Sequence, residues 1–200
     1  MSKSNALILS IIFHPLFVNA LSMWLLFALF PQLSYGVHPT VKLIYMGFVF
    51  VSTGIIPLLW VVISGYFNKE QNLLLDNKED RNLPYIVTSS LYLFDFYLSK
   101  KLGAPMLVSA YLLASSSIVV TVLITNLFTK ISIHAASLGA LLAVIISASS
   151  YAMFDIRYLL ALVFIASGLV LSARLFLNAH INAQVYSGFL TGFILMILIL

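Results

Sequence analysis

The stretch ARLFLNAHINAQ, residues 173–184, joins two long apolar runs near the end of the chain and predicts a pair of membrane helices there. It gathers Arg174, His180 and Gln184 at the boundary between the two runs. An arginine offers a fork of donors that suits phosphate or carboxylate, and a histidine can act as nucleophile, acid or base near neutral pH. Gln184 lies one helical turn beyond His180 and can hold a ring nitrogen. The alternative is that Arg174 reaches the lipid headgroups and His180 is a polar residue of the interface.

The composition places this stretch in a membrane protein. Of 200 residues, 62% are hydrophobic and 8% are charged, with a mean hydropathy of +1.09, which is typical of a polytopic helical membrane protein. The alternation expected of a lipid-facing β-barrel is missing. The net charge of +4 is scattered and predicts no nucleic-acid partner. The chain has no cysteine, which excludes disulfides and thiolate chemistry.

Seven apolar runs follow one another along the chain, and we take residues 1–200 as one transmembrane domain. The runs cover approximately residues 6–30, 41–67, 85–99, 106–129, 135–150, 158–173 and 185–200. The sequence therefore predicts an all-α, polytopic integral membrane helix bundle of about six to seven transmembrane helices.

His14 and Asp95 are ionisable side chains inside predicted spans. His14 precedes Pro15 in the first run, where it is either a functional residue or the partner of a helix kink. Asp95 lies near the end of the third run, and we expect it to pair with Lys100 or Lys101.

The three junctions that follow even-numbered spans must lie on one side of the membrane. They are Asn68–Pro84, Lys130–His134 and Arg174–Gln184. Almost every residue suited to phosphate chemistry lies in them: Lys78, Arg81, Lys130, Ser132, His134, Arg174 and His180. The sequence predicts that these residues share one site, with His14 at the matching end of the first span.

These three segments resemble the motifs of the type 2 phosphatidic acid phosphatase family, which includes lipid phosphatases and vanadium haloperoxidases. The third family motif reads Ser-Arg, five residues, His, three residues, Asp. Here Arg174 and His180 keep that spacing, while Ala173 and Gln184 replace the first and last members.

The other two motifs are less complete. The family's second motif is Pro-Ser-Gly-His, and this chain has Ser132-Ile133-His134. Lys78 with Arg81 and Pro84 is a loose version of the basic first motif. The run from Gln184 to Gly192 is similar to the helix that follows motif three, so the resemblance covers about residues 78–200.

The resemblance implies phosphoryl transfer without metal or cofactor. His180 would attack phosphorus, His134 would protonate the departing oxygen, and Gln184 would hold His180. The phosphate would be bound by basic residues and one hydroxyl: Arg174, Arg81, Lys78, Lys130 and Ser132. The implied substrate is a lipid phosphomonoester or diphosphate, handled by a multi-pass protein of a bacterial inner (cytoplasmic) membrane.

Gln184 leaves other functions open, because it brings no charge to His180. Loss of the carboxylate in a catalytic triad costs about 10⁴ in rate. A catalytically inactive relative that binds or positions anionic lipid is one alternative, and a small transporter or assembly factor is another. The sequence does not choose between phosphatidic acid, phosphatidylglycerol phosphate and polyprenyl diphosphate, and the oligomeric state is equally open. Basic residues on the opposite side slightly favour that side as cytoplasmic.

Overall fold

A computed structural model of the protein describes residues 1–29, 31, 37–67, 81–152 and 155–200. All regular structure within these ranges is helical. The α-helices are α1 (Lys3–Ile12), α2 (Pro15–Leu29), α3 (Pro39–Phe50), α4 (Ile56–Phe67), α5 (Asn82–Lys101), α6 (Met106–Phe128), α7 (Ile133–Ala148), α8 (Arg157–Phe176) and α9 (Asn182–Ile199). The predicted all-α class is thus confirmed.

Four segments of the described chain are long and apolar enough to cross a membrane. They are Pro39–Trp60, Met106–Phe128, Arg157–Phe176 and Asn182–Ile199. The α1–α2 pair makes a fifth if its two helices are counted as one span. The described chain therefore has the architecture of a multi-pass membrane protein with four or five such segments, and the predicted number of six to seven is not confirmed.

The first predicted span is broken where His14 meets Pro15. Pro15 begins α2, a position that suits proline because its missing N–H would have no intrahelical partner. The two helices meet at an angle of 45°. This bend allows α1 to pack against α8, at the end of the molecule where the predicted site lies.

The second predicted span contains one π-helical turn, Val51–Ile55, between α3 and α4. Pro57 follows two residues later and would clash with the carbonyl of Thr53 in a regular α-helix. The wider turn absorbs this conflict. It also turns Ser52, Thr53 and Gly54 into the bundle, where they are buried.

Helices α7 and α9 are in backbone contact, because glycines lie at their interface. A Cβ atom at Gly192 would overlap with the carbonyl oxygen of Ala136, and one at Gly188 would lie 2.6 Å from the carbonyl oxygen of Ser132. Small residues spaced four apart commonly allow membrane helices to approach this closely. The N–H of Ser132 donates to the carbonyl of Gln184 over 3.1 Å, so the beginnings of the two helices are held side by side.

The prediction that Asp95 pairs with Lys100 or Lys101 is wrong. Asp95 is buried and accepts a 2.5 Å hydrogen bond from the hydroxyl of Ser52, whereas both lysines are exposed at the end of α5. Residues five and six positions apart on a helix lie about 120° to 140° from each other around its axis. The lysines therefore lie on other faces of α5 than Asp95.

Candidate functional site

Four of the predicted site residues line one cavity: Arg81, His134, Arg174 and His180. Its volume is about 640 Å³. Each residue lies at a helix end, namely before α5, in the first turn of α7, in the last turn of α8 and in the α8–α9 connection. The lining residues within the described ranges also include Lys3 and no acidic side chain. The charge of the cavity therefore favours an anion.

The cavity continues from this basic end into an apolar interior. Tyr92 also lines it, about 16 Å from Arg81 along α5 at 1.5 Å per residue. The walls between helices include Leu58, Ile118 and Val119. A ligand that fills this space must combine an anionic group with an apolar body.

The end of α8 brings Arg174 and His180 to the same side. Asn178 adopts a left-handed conformation with φ of 53°, which ends the helix. The N–H of Ala179 donates to the carbonyl of Arg174 over 3.1 Å, and that of Asn178 to Leu175 over 2.9 Å. This pattern is a Schellman cap, and it reverses the chain so that the connection folds back toward α8.

Gln184 fixes the orientation of His180. The side-chain oxygen of Gln184 lies 3.2 Å from His180 Nδ1 and accepts a 3.3 Å hydrogen bond from the backbone N–H of Ile181. Because a backbone N–H can only donate, the amide oxygen faces both groups, and Nδ1 of His180 must carry the proton. In neutral His180 the free lone pair is therefore on Nε2.

The surroundings of His180 keep it neutral. Its side chain is 7% exposed. Burial, followed by the positive charges of Arg81 and Arg174, lowers the pKa of His180 to about 4, although the hydrogen bond with Gln184 acts in the opposite direction. At neutral pH the ring is thus an uncharged base beside two guanidinium groups.

This lowered pKa predicts a loss of stability in acid. Above pH 6.5 His180 is neutral in both the folded and the unfolded chain and contributes no pH dependence. As the pH falls below 6.5 the unfolded chain takes up the proton first, and stability is lost until the pKa of the folded state, about 4, is reached. We expect wild type to lose about 2 kcal/mol more than His180→Gln between about pH 7.5 and about pH 5, measured by unfolding in mixed micelles. Equal losses in the two proteins would contradict the lowered pKa.

The Nε2 atom of His134 faces α1. This nitrogen lies 3.2 Å from the backbone carbonyl oxygen of Ser10 and, beside an acceptor, must carry a proton. The ring of His134 makes an edge-to-face contact with the ring of His14, with centroids 5.3 Å apart. Arg174 donates to the hydroxyl of Ser10 over 3.4 Å. One residue of α1 therefore contacts both an imidazole and a guanidinium of the site.

The remaining predicted residues are placed differently. Ser132 is fully buried, and its hydroxyl accepts from the N–H of Ala135 over 3.4 Å, so it caps α7. Lys130 and Gln184 are not among the residues that line the cavity, although the charge of Lys130 also lowers the pKa of His180. Lys78 lies outside the described residues.

The segment that contains α1 supplies further site residues, of which the sequence analysis named only His14. Lys3, Leu7, Ser10 and His14 all line the cavity. Lys3, Leu7 and Ser10 follow one another at intervals of three or four residues, which places them on one face of α1, and His14 lies two residues beyond its end. That spacing of polar residues in an apolar segment was the signal available in the sequence. Tyr85 was also missed, and it lines the cavity close to Arg81.

Comparison with family models, curated proteins and solved structures finds no match to this chain. The function is therefore inferred from the residues of the cavity and their geometry.

Proposed function

We propose that this protein is a membrane-embedded, metal-independent phosphatase that hydrolyses a lipid phosphomonoester or diphosphate through a phosphohistidine intermediate. The observation that carries the proposal is the state of His180. Its Nδ1 proton is held by Gln184, its Nε2 lone pair is free when the ring is neutral, and it lines a cavity with two arginines. A neutral, oriented imidazole beside guanidinium groups is the arrangement that attack on phosphorus requires. The resemblance to the type 2 phosphatidic acid phosphatases supports the same reaction.

The proposed reaction has two steps. In the first, Nε2 of His180 forms a bond to phosphorus, the bond from phosphorus to the lipid oxygen breaks, and His134, which the bound phosphate anion favours in its imidazolium form, gives that oxygen a proton and becomes neutral. In the second, water attacks phosphorus, the bond to His180 breaks, and His134 takes up the proton that water loses. Arg81 and Arg174 bind the phosphoryl oxygens, and such preorganised charge is commonly the largest contribution to catalysis.

The shape of the cavity supports a lipid substrate. Its basic end holds the arginines and histidines, and its walls continue into the apolar interior of the bundle. Burial of an acyl or prenyl chain contributes about 0.8 kcal/mol per CH₂ group. The phosphate would thus be placed beside His180 while the chain occupies the space between the helices.

We further propose that α5 and α7 also cross the membrane, which gives seven spans, with a bacterial cytoplasmic membrane as the setting. Most of α7, 12 of its 16 residues, is buried by neighbouring helices, so it does not need the length of a lipid-facing span. The chain has no cysteine, so single cysteines can be introduced cleanly. Cysteines at Thr129 and Asn182 should be labelled from the same side of the membrane, and one at Lys101 from the other. Labelling of Thr129 and Asn182 from opposite sides would contradict the seven-span arrangement.

The decisive test combines a panel of lipid phosphates with substitutions at Gln184. Gln184→Glu keeps the oxygen that faces Ile181 and His180 and adds a charge that stabilises the cationic ring during attack. Since loss of such a carboxylate costs about 10⁴ in a catalytic triad, we expect a gain of about tenfold or more in phosphate release. Gln184→Met, of similar length but without the acceptor, should release phosphate more slowly than wild type.

A second function, binding of anionic lipid without turnover, is favoured by one contact. Nε2 of His134 is engaged by the carbonyl of Ser10, and in this arrangement it cannot reach a leaving oxygen. Under this alternative, wild type and Gln184→Glu would both bind phosphatidic acid, and neither would release phosphate from any substrate of the panel. Adding Arg174→Gln to either protein would abolish the binding. That result would replace the phosphatase proposal.

A further inference from the structure

A second cavity lies away from the site, between α3, α5 and α6. Its volume is about 310 Å³. Most of its lining is apolar and consists of Val41, Ile44, Phe48, Val49, Leu98, Leu102 and Leu112. Val41, Ile44 and Leu102 are also exposed on the outer surface of the bundle, where the bilayer would lie. A molecule dissolved in the membrane can therefore reach this space.

Asp95 is the only ionisable carboxylate or amine group among the described residues that line this cavity. It is 1% exposed, and one carboxyl oxygen, Oδ2, accepts the hydrogen bond from Ser52. The other oxygen, Oδ1, is buried and has no hydrogen-bond partner among the residues that the structure describes. An unpaired buried carboxylate oxygen is strongly unfavourable, so a group that satisfies it would gain a large interaction free energy.

The segment that donates a hydrogen bond to Asp95 is a π-helical turn between α3 and α4. The π-helical turn Val51–Ile55 turns Ser52 toward α5, and π-turns of this kind are frequent at functional sites. An acidic residue within a membrane bundle is itself a candidate for function. Neither lysine at the end of α5 supplies the missing partner, because both are exposed there.

We propose that this second cavity binds an amphiphilic primary amine from the bilayer, with its ammonium group on Oδ1 of Asp95 and its apolar chain along the cavity. A primary ammonium carries three donors and a positive charge, which matches one orphaned carboxylate oxygen. A bare metal cation fits less well, because hard cations take six or more oxygen ligands and this cavity is mainly apolar. The proposal is independent of the phosphatase site, since Asp95 does not line that cavity.

The test measures thermal unfolding of the purified protein in maltoside micelles with three ligands. Decylamine should raise the unfolding temperature of wild type with saturation, because a ligand that binds only the folded state stabilises it by mass action. Decanol, which has the same chain without the charge, and propylamine, which has the charge without the chain, should raise it much less. A shift in unfolding temperature with decanol equal to that with decylamine would mean that the cavity binds the chain without the ammonium group. An equal shift with propylamine would mean that the apolar chain contributes nothing and would exclude a bilayer ligand. Either result overturns the proposal.

Two substitutions assign the effect to the cavity. Asp95→Asn keeps an acceptor for Ser52 and removes the charge, so the decylamine shift should be lost. Leu98→Trp places a larger side chain one helical turn from Asp95 and fills the cavity while the carboxylate stays intact. It should also abolish the shift, which keeps the proposal testable if Asp95→Asn does not fold. A full decylamine shift in either folded variant would refute the site.

Discussion

His180→Ala is expected to abolish release of phosphate from every lipid phosphate that wild type hydrolyses. The substitution removes the nucleophile, and no other imidazole of the site is held by a side-chain acceptor as His180 is by Gln184 in the described structure. Loss of a nucleophile that acts together with its partners lowers the rate by about 10⁶ in a well-studied case, and we expect a loss of at least about 10³ here. The measurement is phosphate release by purified protein in mixed micelles.

The matched control is His38→Ala. His38 caps α3 by accepting from the N–H of Thr40 and does not line the site cavity. Its removal should leave phosphate release near that of wild type. After a brief reaction with ³²P-labelled lipid, a radioactive label on the protein that is lost in acid but stable in base would identify the phosphohistidine. Wild type and His38→Ala should carry this label, and His180→Ala should not. Retention of turnover in His180→Ala would exclude His180 as the nucleophile.

Gly192→Ala is expected to cause a large loss of stability although it adds only one methyl group. The added methyl group would overlap with the carbonyl oxygen of Ala136, and helix backbone cannot move aside as a flexible side chain can. Overpacking of a core costs about 1–3 kcal/mol and more where nothing can move, so we expect about 3 kcal/mol or more. The change would also separate the beginnings of α7 and α9, which carry His134 and Gln184, so activity should fall with stability.

Gly168→Ala provides the comparison for this substitution. Gly168 lies in α8, and a Cβ atom there meets nothing within 4 Å. Alanine at such a position is about 0.5–1 kcal/mol more favourable in a helix than glycine. The two variants should therefore shift the unfolding midpoint in opposite directions in mixed micelles. Equal midpoints for both would mean that α7 and α9 are not in backbone contact.

The helices could be predicted from sequence because each apolar run is long and is bounded by a polar junction. The gathering of Arg81, His134, Arg174 and His180 was predicted from the order of the junctions in a seven-span arrangement, and the four residues do line one cavity. Neither inference required knowledge of side-chain packing. The number of membrane spans is less readily inferred, because α7 is only 16 residues long and most of it is buried by neighbouring helices.

Other features depend on three-dimensional contacts that the linear pattern does not contain. Ser132 matches a family motif, yet its hydroxyl caps α7. Asp95 has lysines nearby in sequence, yet its partner is Ser52 in another helix, forty-three residues away. The contribution of α1 was hidden because Ser10 is an ordinary residue in an apolar run and acts through its backbone carbonyl as well as its side chain.

Through Ser10, α1 competes with a ligand of the site for contacts with His134 and Arg174. The carbonyl oxygen of Ser10 contacts His134, and its hydroxyl oxygen contacts Arg174. A bound phosphate would use the same two side chains. Nε2 of His134 can bind phosphate only in the fraction of molecules in which α1 has withdrawn, whereas the contact with Ser10 takes only one of the five N–H donors of Arg174. The apparent affinity for a ligand that uses Nε2 of His134 is then the intrinsic affinity multiplied by that fraction. The bend between His14 and Pro15 would thus set how strongly the protein holds a headgroup, even though neither residue needs to touch it.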